Sequence, residues 1–383
     1  MKNLILPIFI LLLNSCIVED WDLNLTGKLQ NTYLFDGYLN YSVSSTVLSN
    51  DGNVLICGNK EDFVSVIKTS VQGNLFWRKD YSFESSIQAF SIVQVSNDDI
   101  FVCGWTRKNY NENGEDIFLL KVNSKGDSIW MKTFGGKGFD YADCIISTSD
   151  GNLLIAGRNH KVNADSYGDI YLIKLNYEGE IIWESSYADP GQELPSHILE
   201  TPNGEYLITG NNQEGGVGEF NQIYLLKVDA YGNELWVKKY GANDYQWAYK
   251  TIETSNGAYL TCGNLTSNGY NQVLIFRTDK NGNFMNEVTY GEPFKSEIGY
   301  SIEKNKDNSY TIVGSSFEVN KSETEIILLK IDENYREIYF ERFGASKFSL
   351  GFNLLKYAYG NVITGNYKGK IFMSFLSDNF RGN

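Results

Sequence analysis

The sequence contains little proline and little histidine, and its one long apolar run lies at the N-terminus. Of its 383 residues 5 are proline and 2 are histidine, His160 and His197, whereas 36 are glycine. Scarce proline with abundant glycine favours many short strands joined by tight turns. Neither histidine neighbours a plausible nucleophile or metal ligand, and the G-x-S-x-G, H-E-x-x-H and phosphate-loop patterns are absent. The sequence therefore favours a non-enzyme, although paired carboxylates could still converge in the fold.

Cysteine and positive charge are also limited. The 5 cysteines form no C-x-x-C pair, which excludes the usual zinc ribbons and redox motifs, so we expect no metal and no other cofactor. The 47 acidic residues outnumber the 33 basic ones, for a formal charge of −14. Such a chain has little affinity for phosphate backbones, and we expect no nucleic-acid partner.

The N-terminus has the pattern of an export signal. Lys2 precedes the apolar run Leu4–Leu13, which is too short to span a bilayer. The ending Leu13-Asn14-Ser15-Cys16 resembles the lipobox of bacterial lipoproteins. The resemblance implies a signal peptide over 1–15, a lipidated Cys16, a tether over 16–28 and an outer-membrane location, with contact to the membrane through the anchor only. The alternative is an ordinary cleaved signal with an incidental cysteine.

The rest of the chain is a tandem repeat. An apolar strand that ends in glycine recurs seven times, with the glycines at 58, 104, 157, 210, 263, 314 and 365. Each such strand is followed by a second apolar strand, a turn with glycine, and then a segment that closes with an aromatic residue. In four units this last segment carries a tryptophan, and the four are Trp77, Trp130, Trp183 and Trp236, spaced 53 residues apart. Asp-Gly and Asn-Gly dipeptides, such as Asp150-Gly151, mark hairpin turns before the first strand of each pair.

Each unit thus holds four strands, which we name A to D. In the third unit the pattern predicts A over 143–148, B over 152–156, C over 169–175 and D over 181–187. Four antiparallel strands in about 50 residues, repeated along the chain, are typical of a β-propeller blade. Strands B and C are apolar at consecutive positions, which indicates that both faces of each sheet are covered.

The blade count follows from the two ends of the repeat. Six units are complete, and the seventh lacks a D strand. The segment Leu29–Tyr33 matches a D strand, with Leu29 at the tryptophan position and Tyr33 as the closing aromatic. We therefore predict an all-β, seven-bladed propeller of four-stranded antiparallel blades over 29–383, closed by an N-terminal strand that completes the last blade. Closure would remove the open sheet edges that invite aggregation.

The tryptophan segments carry a family resemblance. Gly126 precedes Trp130 by four residues, and Gly179 and Gly232 precede Trp183 and Trp236 in the same way. This spacing resembles the tryptophan-docking repeat of quinoprotein-like (PQQ-type) propellers, and the resemblance implies that each tryptophan packs between blades. The chain lacks the adjacent cysteine pair and the eight blades of the quinoprotein dehydrogenases, so their cofactor is not expected here.

Function is expected at the segments whose sequence differs between the repeat units. The B–C segments 105–115, 158–168, 211–221, 264–271 and 315–324 differ between units, and they share one face of a propeller with the D–A crossings. We call this the loop face. Its aromatic residues are candidates for binding a protein or glycan ligand, since they suit stacking on sugar rings or gripping a peptide. The candidates are Trp105, Tyr110, Tyr141, Tyr167, Phe220, Trp247 and Tyr270. The alternative is that these aromatics pack on the propeller rim.

Three functions remain open at this point. The first is a lipid-anchored binding or scaffold module of the bacterial cell envelope with an unknown ligand. The second is a glycan-active enzyme with two carboxylates about 5–10 Å apart at the propeller channel mouth. The third is a scaffold for outer-membrane assembly.

Overall fold

A computed structural model describes most of the repeat region and short parts of the N-terminal segment. The described residues are 17–18, 30–35, 41–83, 85–107, 114–161, 168–213, 221–241, 245–318, 321–347, 349–358, 360–368 and 370–377. Regular structure in these ranges consists of β-strands. The described residues include no helix suited to crossing a membrane. Cys16 and the candidates Tyr110, Tyr167 and Phe220 lie outside them.

Strands A to D follow one another in the first three blades. Blade 1 is formed by β3 (Tyr41–Leu48), β4 (Val54–Lys60), β5 (Phe63–Thr69) and β6 (Leu75–Ser82). Blade 2 is formed by β7 (Ser86–Gln94), β8 (Ile100–Arg107), β9 (Asp116–Val122) and β10 (Ser128–Phe134). Blade 3 is formed by β11 (Gly138–Ser147), β12 (Leu153–Lys161), β13 (Asp169–Leu175) and β14 (Ile181–Tyr187).

Blades 4 to 6 repeat this order. Blade 4 is formed by β15 (Gln192–Glu200), β16 (Tyr206–Gln213), β17 (Asn221–Val228) and β18 (Glu234–Tyr240). Blade 5 is formed by β19 (Tyr245–Glu253), β20 (Tyr259–Ser267), β21 (Tyr270–Thr278) and β22 (Phe284–Tyr290). Blade 6 is formed by β23 (Lys295–Lys304), β24 (Tyr310–Glu318), β25 (Thr324–Ile331) and β26 (Glu337–Ser346).

Blade 7 joins the two ends of the chain. Its A, B and C strands are β27 (Leu350–Tyr357), β28 (Gly360–Tyr367) and β29 (Lys370–Ser377), and its D strand is β2 (Gln30–Phe35). The short strand β1 (Ile17–Val18) pairs with β2 as a fifth strand at the outer edge. Strand A of blade 1 packs on strands A and B of blade 7, and the hydroxyls of Thr46 on β3 and Thr364 on β28 lie 2.8 Å apart. The seven-bladed, closed propeller predicted from the repeat is confirmed.

The N-terminal strand completes the last blade with a register two residues away from the expected one. In blade 3 the closing aromatic Tyr187 pairs with Ile170 of strand C. In blade 7 the equivalent position on strand C, Ile371, pairs with Phe35, whereas Tyr33 pairs with Met373. Phe35 is therefore the closing aromatic, and the assignment of that position to Tyr33 was wrong. Tyr33 and Phe35 are spaced by two residues, which is the period of a strand, so the sequence pattern fitted both registers.

Both faces of strands B and C are covered, as their continuous apolar runs predicted. Residues Val54 to Asn59 of β4 are all buried, although their side chains alternate between the two faces of the sheet. The hydrophobic clusters lie between neighbouring blades, and one of them joins Leu55 of blade 1 to Val102 of blade 2. The cysteines at 57, 103, 144 and 262 are buried within these layers and form no disulfides, as expected for core residues.

The repeated tryptophans dock neighbouring blades onto each other. Trp183 of blade 3 lies against Gly232, in the C–D turn of blade 4, so closely that a Cβ there would come within 2.8 Å of the indole ring. The indole Nε1 donates to the carbonyl of Ala230 in the same turn, at 3.1 Å, and the Tyr187 hydroxyl donates to the carbonyl of Gly232. Trp77, Trp130 and Trp236 lie against Gly126, Gly179 and Gly282 in the same way. The expected packing of tryptophan between blades is confirmed.

The face opposite the loop face is built from the repeat itself. At the end of strand C in blade 3, the Lys174 ammonium lies 2.5 Å from the carboxylate of Asp150 in the A–B turn and donates to the Tyr206 hydroxyl of blade 4 at 2.8 Å. The lysine-to-acid pair recurs in blades 1, 2, 4 and 6 as Lys68–Asp51, Lys121–Asp99, Lys227–Glu205 and Lys330–Asp307. These lysines therefore hold the short turns in place.

Candidate functional site

Strand A, the innermost strand of each blade, carries one extra residue opposite the repeated glycine of strand B. In blade 3, Ala142 pairs with Gly157 and Cys144 pairs with Ala156, which leaves Asp143 between them as a β-bulge. The register shifts at the equivalent point in each of the seven blades. We call the seven extra residues the bulge ring, and they are Ser44, Phe90, Asp143, Ser196, Tyr249, Tyr300 and Phe352.

The glycine that defines the repeat is the reason for the bulge. A Cβ at Gly157 would lie 1.8 Å from the carbonyl oxygen of Tyr141, and a Cβ at Gly263 would lie 1.7 Å from that of Trp247. Strand B can therefore accept the closely approaching backbone of strand A only where it lacks a side chain. A bulge bends its strand and redirects a side chain. The repeated glycine therefore allows one residue of each strand A, whose identity the repeat does not constrain, to face the centre of the propeller.

The seven inner strands surround a central cavity of about 360 Å³, which we call the channel. Its lining consists of the bulge ring and the one to three residues that follow each bulge residue. The residue directly after the bulge differs in character between most blades, and the seven are Ser45, Ser91, Cys144, His197, Lys250, Ser301 and Asn353. The loop-face prediction overlooked these positions. Their signal in the sequence is the lack of repetition at a fixed distance before each B-strand glycine.

The two ionised side chains of the channel lining, Asp143 and Lys250, each form an ion pair with a neighbouring residue. The Arg158 guanidinium donates two hydrogen bonds to the Asp143 carboxylate, at 2.9 and 3.0 Å. Burial raises the pKa of Asp143, and the charge and hydrogen bonds of Arg158 oppose that rise. The Lys250 ammonium lies 2.7 Å from the Glu303 carboxylate. The ionised lining therefore carries no net charge.

The second histidine of the chain also faces the channel. Burial lowers the pKa of His197 to about 3, and the charge of Lys250 lowers it further in the same direction. The imidazole is therefore neutral at physiological pH. Its Nδ1 atom is buried and has no hydrogen-bond partner among the described residues, and the same holds for the amide Nδ2 of Asn353. Both residues line the channel.

On the loop face, the structure brings two of the predicted residues together. The rings of Trp105 and Tyr141 meet edge to face with centroids 6.4 Å apart, across the boundary of blades 2 and 3. The Tyr141 hydroxyl donates to the Glu115 carboxylate at 2.8 Å, and the Trp105 indole donates to the Gln88 side chain at 3.1 Å. Trp105 lies on β8 and not in a loop, because strand B continues beyond its glycine; the expected B–C loop boundary was wrong here.

A pocket opens beside this pair. Six residues line a cavity of about 280 Å³ that we call the blade-3 pocket, and they are Phe139, Tyr141, Arg158, His160, Gly168 and Gln192. The Arg158 guanidinium lies over the Tyr141 ring, 4.7 Å from its centroid. The rings of Phe139 and His160 are stacked, with centroids 5.9 Å apart. Arg158 and His160 lie on β12, whose observed end at Lys161 is five residues beyond the predicted one.

The remaining described candidates lie elsewhere on the loop face. Tyr270 meets Phe294 edge to face, at 5.8 Å between centroids, and both line a separate cavity of about 310 Å³ at blade 5. Trp247 is half-buried on β19 and pairs with Asn264 of strand B. The four candidates that lie among the described residues therefore do not form one cluster.

A buried acidic residue lies next to the blade-3 pocket. Glu193 follows the pocket residue Gln192, is fully buried, and accepts a hydrogen bond from the amide of Asn212 at 2.5 Å. Burial raises the pKa of Glu193 to about 8, the Asn212 hydrogen bond opposes that rise, and the charges of Asp169 and Asp189 add to it. Glu193 is therefore largely protonated at neutral pH.

Comparison with known proteins shows likeness at the level of the fold. A structure of virginiamycin B lyase from Staphylococcus aureus, a catalytically inactive form with quinupristin, superposes with a TM-score of 0.57 at 12% identity and covers 91% of this chain and 99% of that one. A protein of unknown function from Dyadobacter fermentans gives 0.53 at 12%, covering 91% and 98%. Drosophila Plexin A in complex with Semaphorin 1b gives 0.53 at 9%, covering 91% and 87%.

No protein family and no curated protein matches the sequence. The structural neighbours include an enzyme, a protein in complex with another protein, and a protein of unknown function. One fold commonly carries unrelated functions, so function must be argued from the site of this chain.

Proposed function

We propose that this protein is a lipid-anchored binding module of the bacterial cell envelope and that it holds a glycan in the blade-3 pocket. The observation that carries the proposal is the assembly of Trp105, Tyr141 and Arg158 beside a cavity, at positions where other blades carry different residues.

The chemistry of the pocket suits a sugar. Aromatic rings offer apolar faces for the C–H surface of a sugar, and the guanidinium, imidazole and amide groups offer hydrogen bonds to its hydroxyls. Arg158 already bonds Asp143 through Nε and one terminal nitrogen, so its charge is partly satisfied before a ligand arrives. We therefore expect a neutral glycan to bind better than an acidic one.

A protein ligand is the less favoured alternative. A stable protein interface buries about 800 Å² on each partner, whereas the predicted aromatic residues that the structure describes are divided between blades 2–3 and blade 5. The blade-3 pocket, with a volume of about 280 Å³, is of a size for a short glycan segment.

The glycan-active enzyme requires two carboxylates at the channel mouth. Among the described residues that line the channel, Asp143 is the one carboxylate, and it is held by Arg158. This lining favours binding over glycoside hydrolysis. A role as an assembly scaffold stays a prediction, which co-purification with outer-membrane proteins would test.

A glycan array tests the proposal. We expect the mature protein to bind a small set of neutral glycans, and Trp105→Ala and Tyr141→Phe to weaken that binding. Tyr270→Phe, at the separate blade-5 cavity, is the matched control and should bind as the wild type does. Equal losses in all three variants, or an array without binding, would reject the blade-3 pocket as the glycan site.

The anchor has its own test. Metabolic labelling with a fatty acid, followed by membrane fractionation, should give a labelled protein in the outer membrane. Cys16→Ser should abolish both the label and the membrane association. A labelled Cys16→Ser protein would show that the lipid is attached elsewhere.

A further inference from the structure

The channel is separate from the blade-3 pocket. Its described lining begins at the bulge ring and extends toward the A–B turns, as shown by Val47, Ile146 and Leu355, each three residues after a bulge. The blade-3 pocket is lined instead by residues on the loop side of the bulge, such as Phe139 and Tyr141 of the same strand as Asp143. The two cavities therefore lie on opposite sides of the bulge ring.

The channel lining varies between blades at positions whose identity the fold does not determine. The residues that precede the bulge are small in most blades and fit against the B-strand glycine, so the repeat fixes them. The bulge residue and the one after it range from serine to tyrosine, lysine and histidine. The channel retains about 360 Å³ of open volume, a typical size for a small-molecule site.

The charges in the channel disfavour an ionic ligand. Asp143 is paired with Arg158, Lys250 is paired with Glu303, and His197 is neutral because burial lowers its pKa to about 3. An ion entering the channel would lose its hydration without meeting an unpaired opposite charge, which is costly. The ligand that fits this environment is uncharged.

One side of the channel is aromatic. The rings of Tyr249 and Tyr300 lie 4.9 Å apart between centroids, at an interplanar angle of 72°, and those of Tyr300 and Phe352 lie 5.6 Å apart. These three bulge residues come from consecutive blades 5, 6 and 7. They form a continuous apolar arc against which the C–H face of a small ring can pack.

Two polar side chains that line the channel, His197 and Asn353, each have an atom without a hydrogen-bond partner among the described residues. These atoms are His197 Nδ1 and Asn353 Nδ2, and leaving a buried polar group unpaired is unfavourable. A hydroxyl can donate one hydrogen bond and accept others, so it can satisfy either atom whichever tautomer the imidazole adopts.

We infer that the channel is a second ligand site, for a small uncharged molecule with one apolar face and several hydroxyls, such as a single neutral sugar. This site is independent of the proposed glycan site in the blade-3 pocket.

Saturation-transfer NMR and calorimetry with single sugars test the inference. The probes are the methyl glycosides of glucose, galactose and mannose, together with N-acetylglucosamine, and the charged counterparts are glucuronate and glucosamine. We expect at least one neutral probe to bind and both charged probes to bind at least ten-fold more weakly.

Two variants locate the binding. Asn353→Ala removes an amide whose Nδ2 has no partner among the described residues, and Tyr300→Phe removes one hydroxyl and keeps the ring of the aromatic arc. Asn353→Ala should weaken the neutral probe at least ten-fold, Tyr300→Phe should weaken it less, and Trp105→Ala should leave it unchanged. The inference is overturned if no neutral probe binds, if the charged probes bind equally well, or if Trp105→Ala weakens binding while Asn353→Ala does not.

Discussion

Arg158 and Asp143 form a two-bond ion pair that joins the two candidate sites. The carboxylate belongs to the bulge ring and faces the channel, whereas the guanidinium lies over Tyr141 in the blade-3 pocket. Their side chains keep about a fifth of their surface exposed, 20% for Arg158 and 18% for Asp143. The pair therefore both fixes the wall between the cavities and limits the charge that either cavity offers to a ligand.

Removing Arg158 should destabilise the fold. Arg158→Ala leaves the buried Asp143 carboxylate without its partner, and we expect a loss of about 2–4 kcal/mol in the free energy of unfolding. The loss should shrink at acidic pH, because Asp143, whose pKa burial raises, then takes up a proton and no longer needs the cation. Urea unfolding at several pH values measures it. Arg78→Ala, at the more exposed pair with Asp80, is the control and should cost under about 1 kcal/mol.

The bulge can be tested with a single methyl group. Gly157→Ala places a Cβ 1.8 Å from the Tyr141 carbonyl, so strand A of blade 3 must move away. We expect a loss of more than about 3 kcal/mol, or a protein that does not fold. Gly136→Ala is the matched control, since a Cβ there meets no atom within 4 Å, and its melting temperature should stay near that of the wild type. Equal stability of the two variants would contradict the account of the bulge.

Tryptophan docking should stabilise the fold through two separable interactions, the indole hydrogen bond and the packing of the ring. Trp183→Phe keeps an aromatic ring but removes the hydrogen bond to Ala230, for an expected loss of about 1 kcal/mol. Trp183→Ala also removes the ring that packs on Gly232, and the loss should rise to about 3 kcal/mol. Chemical denaturation of both variants gives the difference. If Trp183→Ala and Trp183→Phe lose the same amount, the ring does not hold blades 3 and 4 together.

Glu193 should make stability depend on pH. Its folded pKa of about 8 lies above the usual value of 4.5, so the folded state binds the proton more tightly than the unfolded state. This contribution is full below about pH 4.5 and is lost as the pH rises to about 8. Glu193→Gln should remove that slope and should exceed the wild type in stability above pH 8. The exposed Glu234→Gln is the control, and a slope that survives in Glu193→Gln would assign it to another group.

The fold could be predicted from the sequence because the residue pattern that produces the packing of one blade recurs in seven units. Glycine before the B–C connection, tryptophan after the C–D turn and a closing aromatic each have one structural reason, and each recurs. Strands C and D of blade 3 were predicted at their observed bounds, Asp169–Leu175 and Ile181–Tyr187. Register was harder to predict: Phe35, two residues after Tyr33, satisfies the same alternation, and only the pairing with Ile371 distinguishes them.

The candidate site was predicted in part. Trp105 and Tyr141 meet as loop-face residues, but Arg158 and His160 beside them were hidden in a segment assigned to a loop. The residues that line the channel were missed, because a bulge changes which side chains point inward and strand alternation alone does not reveal it. The glycine opposite each bulge is the signal that would have located it.

The most direct test of glycan binding at the blade-3 pocket is isothermal titration of the best array glycan into three proteins. We predict that Tyr141→Ala weakens the affinity at least ten-fold relative to the wild type, while Tyr270→Ala changes it by less than two-fold. Unchanged affinity in a folded Tyr141→Ala variant would contradict the assignment of the ligand to this pocket.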